Sequence, residues 1–130
     1  MATDFAIRRV LASSYDEALA RVPEVLKTEG FGVLTEIDVK DTLKKKIGAD
    51  FRRYKILGVC NPQLAHRALS AVTDVGVMLP CNVVVYEGDD QKAVVLGIDP
   101  MQTIAANVPE LRELATEVRS RLERALGKLT

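Results

Sequence analysis

Apolar positions recur along the chain with two different periods, which predicts a series of alternating strands and helices. The mixed apolar and basic run 5–11 suits an opening strand. Ser14 and Glu17 then have the spacing of a capping box, and apolar residues continue at helical spacing up to Gly30. Because Pro23 lies inside this first helix and removes a hydrogen bond, we expect a kink there.

The next strand and helix are predicted over residues 31–48. Residues 31–38 alternate as a strand whose Glu36 and Asp38 lie on the face opposite the apolar residues. Asp38 can cap a short helix that ends at Gly48. This strand therefore ends in carboxylates.

The pattern continues with a third strand over residues 54–60, which Asn61 and Pro62 end. Pro62 suits the first turn of a third helix. The segment 73–80 that follows is long enough to reverse the chain once more. The third and fourth strands can therefore be antiparallel neighbours or can be joined by a parallel crossover.

The last part of the chain contains the clearest antiparallel signal. Residues 82–87 and 93–99 are β-branched-rich runs joined by Gly-Asp-Asp, which predicts a hairpin. A short helical turn is expected after Pro100, and Pro109 opens a closing helix with a long apolar stripe. The order β-α-β-α-β-α-β-β-α predicts an α+β (α/β) fold, with helices on a mixed, mainly antiparallel sheet and a single domain over residues 1–130.

Composition narrows the class of protein without identifying an activity. Apolar residues make up 48% and charged residues 28% of the chain, as in an ordinary globular domain. Eighteen basic and eighteen acidic side chains cancel, so no overall field attracts nucleic acid or an anionic membrane, and neither is expected as a partner. We see no signal peptide and no apolar run of ~18 residues, and we expect a cytoplasmic protein with reduced cysteines.

Common catalytic signatures do not occur in the sequence. Gly30 and Gly32 begin a Gly-x-Gly pattern, but Thr35 stands where a dinucleotide loop needs its third glycine. The Walker loop, His-Glu-x-x-His, Cys-x-x-Cys and Gly-x-Ser-x-Gly are missing too. These absences argue against a common enzyme class, and whether the protein is an enzyme stays open.

Three local phrases are more specific than the general pattern: GFGVLTEIDV at 30–39, YKILGVCNP at 54–62 and LPCNVVVY at 79–86. In this order they resemble the domain of unknown function 302 family over nearly the whole chain. The resemblance implies a compact α+β fold and bacterial or archaeal cytoplasmic proteins that can dimerise. It implies no established reaction, cofactor or catalytic residue, and Pro23 departs from the family pattern.

The most suggestive chemistry lies in two Cys-Asn pairs at strand ends, Cys60-Asn61 and Cys81-Asn82. If their strands are antiparallel neighbours, the two thiols can share a ligand, a metal or a disulfide. If the connection is a parallel crossover, the thiols lie on the order of 20 Å apart. Free cysteines are most often small buried hydrophobes, and amides beside prolines most often stabilise turns.

Charged residues give two weaker candidate sites. Glu36, Asp38 and Asp99 end strands, and carboxylates gathered at one sheet edge could act in acid–base chemistry or bind a hard cation. Capping of the next helical turn is the alternative for Asp38 and Asp99. The segment 40–55 carries seven basic and two acidic residues, which suits either a phosphate-binding patch or a solvated helix face. The single histidine, His66, is expected on the surface.

Three hypotheses follow from these patterns. The first is a small-ligand-binding domain with its pocket near the two Cys-Asn pairs. The second is a thiol-dependent redox or metal-handling protein that uses Cys60 and Cys81. The third is an interaction module in which the closing helix or an exposed hairpin strand completes a homodimer. The candidate ligand-binding residues are Cys60, Asn61, Cys81, Asn82, Glu36, Asp38 and Asp99, with no metal site assigned.

Overall fold

The computed structural model describes residues 5–130, except for the side chains of residues 104 and 105. Its strands are β1 (Ala6–Ser14), β2 (Gly32–Asp38), β3 (Tyr54–Cys60), β4 (Cys81–Glu87) and β5 (Lys92–Ile98). Its α-helices are α1 (Tyr15–Lys27), α2 (Val39–Ile47), α3 (Pro62–Ala71) and α4 (Pro109–Leu126). Short 3-10 segments occupy Thr73–Met78, Pro100–Gln102 and Ile104–Asn107. The predicted order of elements and the α+β class are confirmed.

The five strands form one sheet in the order β1-β5-β4-β3-β2. Every pair of neighbours is antiparallel, so the sheet contains none of the parallel pairing that a mixed sheet would have. The hairpin predicted between β4 and β5 is present. Because α3 and the segment Thr73–Met78 return the chain beside β3, β3 and β4 are antiparallel neighbours rather than ends of a parallel crossover.

The helix α1 begins as its sequence predicts. The Ser14 side chain accepts a hydrogen bond from the Glu17 backbone N–H, and the Glu17 carboxylate accepts one from the Ser14 N–H. The helix continues through Pro23, which lies on its exposed side. The kink expected at this residue stays a prediction.

One face of the sheet is covered by α1 and α4 and forms the main core. Alternate strand residues such as Val83, Val85 and Val95 pack there against Val22 of α1 and Leu122 of α4. The apolar stripe of α4 is buried within the chain at Leu111, Leu114, Ala115, Leu122, Ala125 and Leu126. The leucine stripe that suggested dimerisation through this helix is therefore already covered.

A second, smaller apolar cluster joins α3 and the segment Thr73–Met78 to the first half of α4. Leu64, Val75, Leu111 and Leu114 are its buried members. This cluster fixes a layer of apolar side chains beside the ends of β3 and β4. That layer forms the wall of the pocket described below.

The opposite face of the sheet carries the other set of alternate residues, and we call it the outer face. The strand register aligns Arg8, Leu96, Val84, Ile56 and Ile37 in one row across all five strands. A second row contains Val10, Val94, Tyr86 and Tyr54, in which the two tyrosine rings stack. At the two edges, Val10 is 58% exposed and Ile37 is 48% exposed.

The helix α2 lies beyond the end of β2 and buries none of its side chains. Asp38 caps it, and Gly48 ends it in a left-handed conformation with φ of 67°. Among the helices of residues 5–130, none combines the length and the apolar content needed to cross a membrane.

Candidate functional site

A pocket of about 690 Å³ opens at the end of the sheet where β3 finishes and β4 begins. Helix α3, the segment Thr73–Met78 and helix α4 surround it. Their lining side chains are almost all apolar and include Leu64, Ala68 and Leu69, Val75 and Met78, and Leu111, Leu114 and Val118.

The two Cys-Asn pairs predicted from the sequence line this same pocket. Because β3 and β4 are antiparallel neighbours, Cys81 lies opposite Val59 and Asn82 lies opposite Gly58. The end of one strand and the start of the next thus bring Cys60, Asn61, Cys81 and Asn82 to one end of the sheet. This placement depends on the reversal of the chain over segment 73–80, which the sequence left open.

Asn61 is a buried structural residue of the pocket wall. Its side-chain Oδ1 accepts a hydrogen bond from the Leu64 N–H at 3.3 Å and so caps α3. Its Nδ2 donates to the Glu29 carbonyl at 3.2 Å. A Cβ atom on Gly30, which has φ of 85°, would lie 2.8 Å from that Nδ2. The turn after α1 therefore needs glycine, and the Asn61 amide is already used on both of its atoms.

Asn82, like Asn61, follows a cysteine in the sequence, but its environment is different. It is exposed on β4 and lines the pocket. Within the part of the chain that the structure describes, its side-chain amide makes no hydrogen bond. A primary amide can both donate and accept, so Asn82 is able to bind a polar group at the pocket.

The two thiols are free and half-buried on neighbouring strands. Since Cys81 pairs with Val59, Cys60 is one position out of register with Cys81 at the end of the sheet. Burial, and secondarily the nearby Cys60, raise the pKa of the Cys81 thiol to about 11. The raised pKa favours the neutral thiol at Cys81 and so disfavours its attack as a thiolate.

The strand-end carboxylates are not gathered at one site. Glu36 forms an ion pair with Lys55, and Asp38 accepts a hydrogen bond from the Asp41 N–H at 2.9 Å as the cap of α2. Both lie where β2 ends and β3 begins, which is the far end of the sheet from the pocket. Neither lines the pocket.

Asp99 lies near the pocket end of the sheet, but its carboxylate is fully engaged. It accepts a hydrogen bond from the Met101 N–H at 2.9 Å, which caps the segment Pro100–Gln102, and it pairs with Arg119 at 3.0 Å. The side chain is buried and does not line the pocket. Within residues 5–130 no three Cys, His, Asp or Glu side chains gather in a way that could hold a metal ion.

The basic segment 40–55 is neutralised by ion pairs with nearby acids. Five of its seven basic side chains pair with carboxylates: Lys44, Lys45, Arg52, Arg53 and Lys55. This pairing disfavours a phosphate-binding patch. His66 is exposed, as expected.

Most of the apolar wall and rim of the pocket was not predicted from the sequence. Leu34 is 66% exposed, Leu69 is 38% exposed and Val77 is 87% exposed, and all three line the opening. The available signal was the apolar run VGVMLP at 75–80, which is unusual for a segment that only connects a helix to a strand.

Comparison with known proteins assigns the chain to a family. The family model described as "Domain of unknown function DUF302" matches residues 7–129. The chain belongs to the DUF302 family. Its fold is similar to that in the crystal structure of an uncharacterized conserved DUF302 protein from Bacillus stearothermophilus, with a TM-score of 0.89 and 35% sequence identity. That similarity covers 99% of this chain and 100% of the other. Curated proteins give no match.

Proposed function

We propose that this DUF302 protein is a small-ligand-binding domain that holds an apolar molecule in the pocket at the end of β3 and β4. The observation that carries the proposal is the continuity between the apolar interior and a rim of exposed Leu34, Leu69 and Val77. Exposed apolar patches of this kind mark binding surfaces because their contact with water is unfavourable. The pocket volume of about 690 Å³ also falls within the usual range for small-molecule sites.

The thiol-dependent alternative has less support. A redox or metal role needs an accessible thiolate, whereas burial holds the Cys81 thiol protonated at neutral pH. The offset register of Cys60 and Cys81 also disfavours a direct bridge. Two free cysteines do support a reducing, cytoplasmic location for the protein.

Pocket filling tests the ligand-binding proposal. Ala68→Phe places a ring into the pocket from α3, whereas Ala71→Phe adds the same ring at an exposed position of α3 outside the lining. We expect the wild type and Ala71→Phe to bind the neutral dye Nile red equally. Ala68→Phe should bind it at least ten-fold more weakly, with circular dichroism confirming that both variants fold. Absence of dye binding by the wild type, or equal binding by the two variants, would contradict the proposal.

We also propose that two copies of the protein pack outer face against outer face as a homodimer. The row from Ile37 through Val84 to Leu96 is apolar and continuous across four strands, so two such faces are self-complementary about a two-fold axis. With strands ~4.8 Å apart and a rise of ~3.3 Å per residue, the flat area of the five-stranded face is roughly 550 Å². Its protruding side chains make the accessible surface larger than this flat area. Standard interfaces bury about 800 Å² per partner.

Sedimentation velocity tests the dimer. A homodimer has twice the 14.3 kDa mass of the chain. Ile37→Lys introduces a charge on the outer face, while Val77→Lys introduces one at an exposed position of the pocket rim. We expect only Ile37→Lys to shift the protein towards the monomer. A wild type that stays monomeric at high concentration would refute the dimer.

A further inference from the structure

Among the described residues, the pocket lining contains none of the side chains that are ordinarily charged at neutral pH. No Asp, Glu, Lys, Arg or His side chain is among its lining residues in the described part of the chain. Its ionisable groups are the thiols of Cys60 and Cys81, and burial holds the Cys81 thiol in its neutral form. A charged ligand group placed inside would therefore have no counter-charge.

Asp99, the nearest charged residue along the chain, does not supply a counter-charge to the pocket. Asp99 stands between the lining residues Ile98 and Pro100, but its carboxylate already pairs with Arg119 and caps the following turn. Moving an ion from water into an apolar site is unfavourable unless a partner compensates it. The lining thus offers carboxylates, phosphates and amines no charged partner.

The polar atoms of the lining are mostly engaged within the protein. Both atoms of the Asn61 amide make hydrogen bonds, and the Thr103 hydroxyl donates to the Pro100 carbonyl at 2.8 Å. The Asn82 side-chain amide, by contrast, makes no hydrogen bond to the described residues. Asn82 is an exposed residue of β4 that lines the pocket. It offers one donor group and one acceptor to a neutral polar head.

We propose that the pocket selects uncharged amphiphiles, whose apolar body fills the cavity and whose hydroxyl or carbonyl head bonds to Asn82. This inference rests on the proposed function and narrows its ligand class. Neutral long-chain alcohols and esters fit these requirements. Fatty acid anions and alkylamines of the same length do not.

Three probes of equal chain length test the charge selectivity: 1-decanol, decanoate and decylamine, each displacing Nile red at pH 7 from the wild type. We expect 1-decanol to bind at least ten-fold more tightly than either charged probe. Equal or tighter binding of decanoate or decylamine would overturn the selectivity while leaving the ligand-binding function intact. If none of the three probes displaces Nile red, the proposed selectivity is also overturned. Failure of Nile red itself to bind would instead refute the proposed ligand-binding function.

The role of Asn82 is tested separately. Asn82→Leu should weaken 1-decanol binding about three- to ten-fold, because one hydrogen bond to the head is lost. Asn82→Gln keeps an amide and should restore part of the affinity. Undiminished 1-decanol binding by Asn82→Leu would show that the head does not contact this residue.

Discussion

Asn61 joins two helices that are distant in the sequence. Its amide caps α3 and also bonds to the Glu29 carbonyl in the turn that follows α1. The residue is buried, so removing its side chain leaves the Leu64 N–H and the Glu29 carbonyl without a partner in a place that water reaches poorly. Asn61 therefore contributes to stability through both ends of one side chain.

We expect Asn61→Ala to lower the free energy of unfolding by roughly 1–3 kcal/mol, since it loses a helix cap and leaves buried groups unsatisfied. Asn82→Ala is the matched control, because Asn82 is exposed and its amide makes no bond within the described chain. The control should stay within about 0.5 kcal/mol of the wild type. Urea denaturation measures both, and equal losses would show that the cap is not the cause.

Gly58 is the position on β3 where the outer face has no room for a side chain. A Cβ atom there would overlap the Thr35 hydroxyl and lie 2.7 Å from Cγ of Pro80. Gly58→Ala should destabilise the protein by about 1–3 kcal/mol, as overpacking of a rigid site does. At Gly32 a Cβ would meet no atom within 4 Å, so Gly32→Ala should be tolerated. A thermal melt in which both variants behave alike would exclude the steric explanation.

Cys81 makes the stability of the protein depend on pH in the alkaline range. Its folded pKa of about 11 is raised above the ordinary value of 9.0, so the folded state favours the neutral thiol. This stabilisation is fully present below pH 9 and is lost as the pH rises towards 11. Denaturation curves collected from pH 8 to 11 should therefore show a shallower decline for Cys81→Ala, by about 2 kcal/mol over that range. Parallel declines would contradict the assignment.

Some residue roles could be predicted from local sequence and others could not. The caps formed by Ser14, Asp38 and Asp99 depend on neighbours two or three residues away. The sequence predicts a capping box at Ser14, and for Asp38 and Asp99 it gives capping as the alternative to a role in a binding site. The difference between Asn61 and Asn82 depends on Glu29, which is 32 residues from Asn61. Such a long-range contact leaves no local pattern.

At the scale of the element, helix α1 contains a proline at an interior position, which is unfavourable for a helix. Pro23 removes one backbone hydrogen bond from the interior of a helix and lies on its exposed side, where it contributes little packing. Pro23→Ala should therefore raise the free energy of unfolding, by at most about 3 kcal/mol. The gain is smaller than this limit because proline also restricts the unfolded chain, and alanine loses that benefit. The exposed Arg21→Ala on the same helix serves as a control and should change it by less than about 0.5 kcal/mol. Loss of stability in Pro23→Ala would mean that the ring is needed where it is.

The elements themselves follow from their periodicity, whereas the pocket wall does not. Strand alternation and the helical stripes predict the order of β1 to β5 and of α1 to α4, because most of these elements present one apolar face. The segment Thr73–Met78 has no such period, and its apolar residues are explained only when α4 lies beside it. The return of the chain at this segment decides both the antiparallel pairing of β3 with β4 and the meeting of the two Cys-Asn pairs.

At the scale of the whole molecule, the two faces of the sheet have different roles. The covered face supplies the main core through α1 and α4, and the outer face is the surface proposed for dimerisation. The pocket lies at one end of the sheet, and its wall combines the smaller apolar cluster with main-core residues such as Phe31 and Val59.

The position of β1 at the sheet edge constrains the order in which the protein can fold during synthesis. Its strand partner is β5, and the backbone N–H of Ala12 bonds to the carbonyl of Thr130. Strand β1 therefore cannot pair until the segment Lys92–Ile98 has left the ribosome. Until then the apolar side chains of β1 have no partner strand, so the native sheet closes late in folding.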